Sequence, residues 1–296
     1  MLARLAYLLV IMIWATTPLA IKLGAEFFTP MAGLSLRTVL AFLIGSAICA
    51  IGGYAGLNIK QHWKLYLAAS INLFPTMALV YMAAQYISSG LIALLFGLTP
   101  FFIALLSRPI LGESALHPRK LLAIFLAAIG LVLIFVPGIS LAADSTKGIA
   151  LMLISNLGFS VSALWVKRLN RTLVVGSLEQ ALGALAFSLP GMLITWVVIF
   201  GIEPSHFNRV SLASLLYLVL FASLLGIVAY YYILIHMSVE TVSLIPLLTP
   251  VLAMVLGVVV ADEVVTSTML AGAGLILFAL AVHQRIWQVF RLRSEC

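Results

Sequence analysis

Leu98-Thr99-Pro100, running on to Gly112-Glu113, is answered 150 residues later by Leu248-Thr249-Pro250, running on to Asp262-Glu263. The spacing from proline to glutamate is 13 residues in both copies, and each copy lies in an apolar run long enough to cross a bilayer. The offset is close to half of the 296-residue chain, so the copies mark equivalent places in two halves. An internal repeat governs the whole fold in which it occurs. Here it predicts a duplicated membrane protein.

Composition agrees. Hydrophobic residues make up 64% of the chain and charged residues 8%, where soluble domains carry roughly 45–50% and about 25%. The formal charge of +7 does not point to nucleic acid, because the basic residues fall between apolar runs instead of gathering on one face or stripe. Cys49, inside an apolar run, and Cys296, at the last position, offer neither a metal-ligand spacing nor a disulfide framework. The run from Leu5 to Ile21 behind Arg4 has the outline of a signal peptide. No small-residue cleavage site leads from it into a soluble body, so it reads as the first span.

A span needs about 20 mostly apolar residues, since a helix rises about 1.5 Å per residue through a core of about 30 Å. On that scale the chain holds ten spans, at 4–23, 31–53, 64–83, 89–110, 119–137, 148–168, 174–201, 211–235, 239–261 and 267–288. The longest polar connection lies at the centre, giving a first five-helix repeat at 1–138, a connecting loop at 139–147, a second repeat at 148–288 and a tail at 289–296. Cytoplasmic loops carry an excess of lysine and arginine. With the N-terminus inside, twelve basic residues fall on the cytoplasmic side (Arg4, Lys60, Lys64, Arg108, Arg119, Lys120, Lys167, Arg168, Arg171, Arg285, Arg291 and Arg293) against Lys22, Lys147 and Arg209 outside. Both termini are therefore expected in the cytoplasm. Five is odd, so the second repeat enters the membrane from the opposite side and the repeats are inverted. The expected fold is an all-α polytopic membrane protein with ten transmembrane helices in two inverted five-helix repeats.

Pro100 and Pro250 lack an N–H and clash with the carbonyl four residues back, which predicts a kink near the middle of spans 4 and 9. The freed carbonyls need polar partners, so both motifs should face protein or a watery cavity, with Thr99 and Thr249 at hand. Packing kinks alone explain the motif equally well. Glu113 and Glu263 end their spans at opposite faces, as solvated or capping residues or as parts of a gate.

These residues resemble the drug/metabolite transporter superfamily, specifically its EamA-type members. The marks are Trp14 through Lys22-Leu23-Gly24, Pro30 followed by Leu36-Arg37, Leu98-Thr99-Pro100 to Gly112-Glu113, and in the second half Leu248-Thr249-Pro250 to Asp262-Glu263, then Gly272 to Leu280. The second half departs from the pattern in span 7, where Gln180 or Ala181 stands near the place matching Arg37. The resemblance implies ten spans in two repeats and alternating access around a central cavity, often for export of amino acids or other small metabolites. Inverted repeats place substrate near the midplane, beside interrupted helices.

Polar groups inside spans usually face the bundle interior. The expected substrate-contacting set is Trp14 and Thr17 in span 1, Asn72 and Thr76 in span 3, Thr99 and Pro100 in span 4, Asn156 and Ser160 in span 6, Tyr230 in span 8, and Thr249 and Pro250 in span 9. Interhelical hydrogen bonding, close packing and lipid contact are the plainer roles for the same residues. Lys167 reads as snorkelling to the interface, and His236 and Glu240 as loop residues. Arg37 and Glu179 are the charges most clearly inside spans. Snorkelling accounts for both; the functional alternatives are an ion pair or a contact to substrate charge, with Glu179 as a carrier of a coupling proton.

No Walker-type phosphate loop, His-Glu-x-x-His or paired intramembrane aspartate occurs, so neither ATP-driven nor enzymatic chemistry is indicated. No catalytic residue, cofactor or metal is expected. The expected partners are a small-molecule substrate and the lipid bilayer, not nucleic acid, with a homo-oligomer left open. Competing readings are uptake of a small cationic or nucleotide-like metabolite by the same fold, and a membrane assembly protein.

Overall fold

The computed structural model describes residues 2–25, 29–54, 56–87, 92, 95–113, 117–135, 145–201, 209–249, 251–252 and 266–283. Among them every regular element is helical. Span 1 is Leu2–Ala25 and span 2 is Pro30–Ile51. Span 3 is two helices, Ile59–Ser70 and Thr76–Ala83. Span 4 carries Thr99–Leu111, span 5 is Pro118–Phe135 and span 6 is Ser145–Leu169. Span 7 runs Ser177–Phe200 and span 8 Arg209–His236, with π-helical stretches at Thr195–Phe200 and Leu218–Leu225. Span 9 is described over Val239–Thr249 and span 10 over Ser267–His283. Pro250, Asp262, Glu263 and the tail 289–296 lie outside the described residues, as does the central loop except for 145–147, which open span 6.

Span 3 departs from the hydropathy reading at both its start and its middle. Its helix begins at Ile59, inside the polar stretch Lys60-Gln61-His62, because the Asn58 side chain accepts a hydrogen bond from the Gln61 amide at 3.3 Å and so supplies an N-cap. It then breaks over 71–75, ahead of Pro75, which has no amide hydrogen to offer the preceding turn. Span 4 corrects the expected kink. A fresh helix starts at Thr99 with Pro100 in its first turn, where a missing N–H leaves no bond unmade. Gly112, at φ 74°, closes that helix by donating its amide to the Arg108 carbonyl at 3.0 Å; only glycine takes this backbone without strain.

Among the described residues, large apolar side chains face outward while several polar ones lie buried in the apolar core. Val198 and Ile199 are 74% and 70% exposed, whereas Thr99, Asn156 and Gln180 are fully buried. That distribution suits hydrocarbon as the surrounding solvent. Four helices, Pro30–Ile51, Ser145–Leu169, Ser177–Phe200 and Arg209–His236, are long and apolar enough to cross it unaided.

Helix pairing shows the repeats. Exchanging spans 1–5 with 6–10 maps the pair 1/8 onto 6/3 and 2/8 onto 7/3, and leaves 2/7 and 5/10 unchanged; all of these pairs are in contact. Spans 4 and 6 also pack together, and their counterparts 9 and 1 meet where the Tyr7 hydroxyl donates to the Thr241 carbonyl at 3.1 Å. The inversion follows from the ends. Lys120 at the start of span 5 meets Glu240 at the start of span 9, and Arg119 Nε donates to the Val282 carbonyl of span 10 at 3.0 Å. His62 at the start of span 3 meets Glu179 at the start of span 7, and Lys167 near the end of span 6 binds the end of span 8. With Tyr7–Thr241 these contacts gather the start of span 1 and the end of span 6 on one face. Equivalent helices therefore run in opposite directions.

Candidate functional site

The interruption in span 4 is held by span 6. Ahead of the fresh helix, the Thr99 hydroxyl lies 2.5 Å from the Phe96 carbonyl. Thr249 repeats the geometry in span 9, its hydroxyl 3.3 Å from the Pro246 carbonyl. In the first repeat Asn156 completes the repair: Nδ2 donates to the Leu95 carbonyl at 2.6 Å, and Oδ1 lies 2.8 Å from the Thr99 hydroxyl. Unbonded carbonyls are costly in a low-dielectric interior. The side-chain bonds of Asn156 are thus spent on the other repeat, one on the Leu95 backbone and one on the Thr99 hydroxyl.

Span 6 treats broken span 3 in the same way. Ser155 donates to the Thr76 carbonyl at 3.1 Å and Ser162 to the Ala68 carbonyl at 2.7 Å, while Tyr231 of span 8 donates to Ala69 at 2.9 Å. Asn72 lies within hydrogen-bonding reach of Tyr231. Beside these bonds the aromatic rings converge. Trp14 stacks on Tyr230 at 5.6 Å, Phe159 meets both at 6.1 and 5.9 Å, and Tyr231 meets Tyr230 edge-on at 5.3 Å. Spans 1, 3, 6 and 8 therefore meet at one interior cluster. Among the described residues, Asn72 Oδ1, Thr76 Oγ1 and Ser160 Oγ are buried with no hydrogen-bond partner. Thr17 is turned to its own helix, its hydroxyl 2.6 Å from the Ile13 carbonyl.

Phe159, Tyr231, Ser155 and Ser162 were not among the expected residues. Tyr230-Tyr231-Tyr232 is a visible signal, but helical rotation cannot say which ring points inward; the structure buries Tyr230 and Tyr231 and half-exposes Tyr232. For Phe159 no sequence signal exists, since a phenylalanine in an apolar run serves equally as a lipid contact.

The face bearing the N-terminus carries ion pairs that join the repeats. Lys120 pairs with Glu240, Arg171 Nη2 with Glu113 at 2.6 Å, and His62 Nδ1 with Glu179 at 2.7 Å. Tyr66 also donates to Glu179 and accepts from the Asn58 amide at 3.1 Å. Glu113, with its side chain 68% exposed, and the half-exposed Glu240 thus each bond to the opposite repeat. Lys167 reaches to the end of span 8 on the same face, where its ammonium donates to the carbonyls of Leu234 and Met237 at 2.7 Å and Ile235 at 3.1 Å. A shallow open crevice beside the Lys120–Glu240 pair reaches Pro100 and Ile103. At the other end of span 2, Arg37 is only 6% exposed and donates from Nη1 to the Tyr81 hydroxyl at 3.2 Å. Burial excludes the snorkelling expected of it.

An inverted duplication of five helices, interrupted in spans 3 and 4 with buried polar side chains at those interruptions, fits a membrane transporter of the ten-span class. The chain belongs to the EamA-like transporter family, which matches residues 1–136 and again 146–283. It is 23% identical over 282 residues to an uncharacterized transporter of Archaeoglobus fulgidus, covering 94% of this chain and 96% of that one. It is 25% identical over 274 residues to the uncharacterized inner membrane transporter YedA of Escherichia coli K12, covering 91% and 86%. Protein PecM of Dickeya dadantii is 25% identical over 255 residues, covering 84% of each chain. A solved crystal structure superposes with a TM-score of 0.80 at 18% identity, covering 97% of this chain and 98% of that one, and so shares the fold.

Proposed function

We propose that this protein exports a small organic metabolite, most readily an amino acid, across the inner membrane by alternating access, with both termini in the cytoplasm. The observation that carries the reading is that Asn72 Oδ1, Thr76 Oγ1 and Ser160 Oγ, on spans 3 and 6, are buried without a hydrogen-bond partner among the described residues, as are Ser35 Oγ, Arg37 Nε, Trp196 Nε1 and Ser223 Oγ. Nearly all buried polar atoms find partners, and a polar ligand satisfies those that do not. Trp14, Asn72, Thr76, Ser160 and Tyr230 then contact substrate, and Thr17 lies one turn away. Thr99, Pro100 and Asn156, with Thr249 and Pro250, form the hinges.

We read the three side-chain contacts on the N-terminal face, which tie 1–138 to 148–288, as a closure of that face. Glu179 faces His62 at that closure and is placed to carry a coupling proton. The test is flux of labelled amino acids from proteoliposomes, with and without a pH gradient. Saturable flux of one amino-acid class, lowered in Asn72→Ala and Ser160→Ala, supports the reading. No flux from folded protein across the amino acids, with flux of another metabolite class, removes the amino-acid assignment. A response to the gradient separates proton coupling from facilitated passage.

A further inference from the structure

Arg37 stands seven residues into the helix that begins at Pro30, roughly 10 Å along its axis at about 1.5 Å per residue. It is 6% exposed, and its one recorded bond runs from Nη1 to the phenol of Tyr81. Nε is buried and bonds to nothing among the described residues. Arginine stays protonated in proteins, and a buried cation with no anion beside it is strongly unfavourable. Each described carboxylate is engaged elsewhere: Glu179 with His62 and Tyr66, Glu113 with Arg171, Glu240 with Lys120. Glu179 meets the first helix of span 3 through Tyr66, four turns before Tyr81, so it lies toward the other face.

The orientation of the guanidinium matters as much as its charge. Tyr81 occupies Nη1, which leaves the edge formed by Nε and Nη2 unoccupied by the phenol. That edge offers two parallel N–H donors, the geometry that grips a carboxylate side-on. Tyr81 fixes the plane of the fork, because its hydroxyl accepts from the guanidinium while its ring packs in the core.

We infer that Arg37, oriented by Tyr81, is a receptor for the carboxylate of the transported molecule, entered from the face opposite the N-terminus. This rests on the transporter reading and names the substrate class: monocarboxylates, amino acids among them, and not amines or neutral amides. Tyr81 is a positioning residue, since it acts through the guanidinium.

The test uses the purified full-length protein and its variants Arg37→Gln, Arg37→Lys and Tyr81→Phe. Thermal stabilisation is measured with amino acids, their carboxamides and simple monocarboxylates such as acetate and benzoate, since a ligand that binds the folded state raises its apparent stability. Wild type should prefer each binding acid over its amide by at least ten-fold. Arg37→Gln should abolish that preference, Arg37→Lys should retain the charge preference with weaker binding, and Tyr81→Phe should weaken acid and amide unequally. If Arg37→Gln misfolds, the Lys and Phe variants carry the comparison. An acid-to-amide ratio unchanged in Arg37→Gln or, should that variant misfold, unchanged in Tyr81→Phe together with undiminished acid binding in Arg37→Lys, overturns the receptor while leaving amino-acid export standing. Stabilisation by acetate or benzoate that requires Arg37, with no amino-acid flux, supports the receptor and overturns the export assignment. No stabilisation of wild type by any carboxylate overturns the receptor outright.

Discussion

Replacing Gly130 by alanine puts a methyl group where spans 5 and 10 cross. A Cβ there would lie 2.7 Å from the Gly272 carbonyl oxygen, 2.7 Å from Ile276 Cγ1 and 3.1 Å from the Ile276 amide nitrogen. Two of these three atoms are backbone, so the neighbouring helix must move as a body. Small residues let membrane helices approach closely in this way. Forcing extra atoms into a packed interface costs about 1–3 kcal/mol, against a gain of about 1 kcal/mol from replacing glycine in a helix. Gly274, exposed on the same helix with nothing within 4 Å of its Cβ position, isolates that gain. The difference between Gly130→Ala and Gly274→Ala therefore measures the clash. At about 2–4 °C per kcal/mol for chains of 150–250 residues, their melting midpoints in detergent should differ by several degrees, with Gly130→Ala the lower. Equal midpoints, or a more stable Gly130→Ala, would refute the close crossing.

Asn156→Ala removes the donor to Leu95 and the partner of Thr99; with interhelical bonds worth about 0.6 kcal/mol on average and up to about 1.7, it should lose about 1–3 kcal/mol in thermal or denaturant unfolding. Asn72→Ala should lower flux with little change in melting, and equal flux would remove Asn72 from the site. Lys120→Met breaks one half-exposed ion pair, worth about 0.2–1 kcal/mol; in a protein lacking its native cysteines, maleimide labelling of Ser243→Cys, which lines the crevice beside Glu240, should speed up by no more than about five-fold, a change that 150 mM salt reduces. Glu179→Gln removes the charge facing His62 and should make flux indifferent to a pH gradient; a gradient response equal to wild type would free Glu179 of coupling.

The repeat in Leu98-Thr99-Pro100, the ten spans and their alternation were legible because each is local: a run of apolar residues, a proline, a count of lysines. What was illegible depends on partners far along the chain. A proline in an apolar run predicts a kink, but whether the helix bends or restarts depends on Asn156, 61 residues beyond Leu95. Glu179 reads as a lone intramembrane acid until span 3 brings His62, 117 residues away, against it. His62 itself was hidden because it belongs to the polar turn that hydropathy discards from the helix. Arg37 could snorkel, pair or bind; the choice needed its exposure and the position of Tyr81, which no spacing along span 2 contains. Among the expected site residues, Trp14 and Tyr230 stack on one another and Asn72, Thr76 and Ser160 are buried, while Thr99 and Asn156 turn toward each other. Pro250 lies beyond the described residues.

The brace between Asn156 and span 4 also has a history in time. Ribosomes add about 5–20 residues per second, so the 61 residues separating Leu95 from Asn156 take about 3–12 s to synthesise. Throughout that interval the interrupted span 4 stands in the membrane, or in the insertion machinery, without its Asn156 brace. The first five helices are therefore an unfinished product, dependent on outside shelter until the sixth arrives. A first half expressed alone should be degraded rapidly, and co-expression of the second half should rescue it, because the stitch that finishes one half is carried by the other.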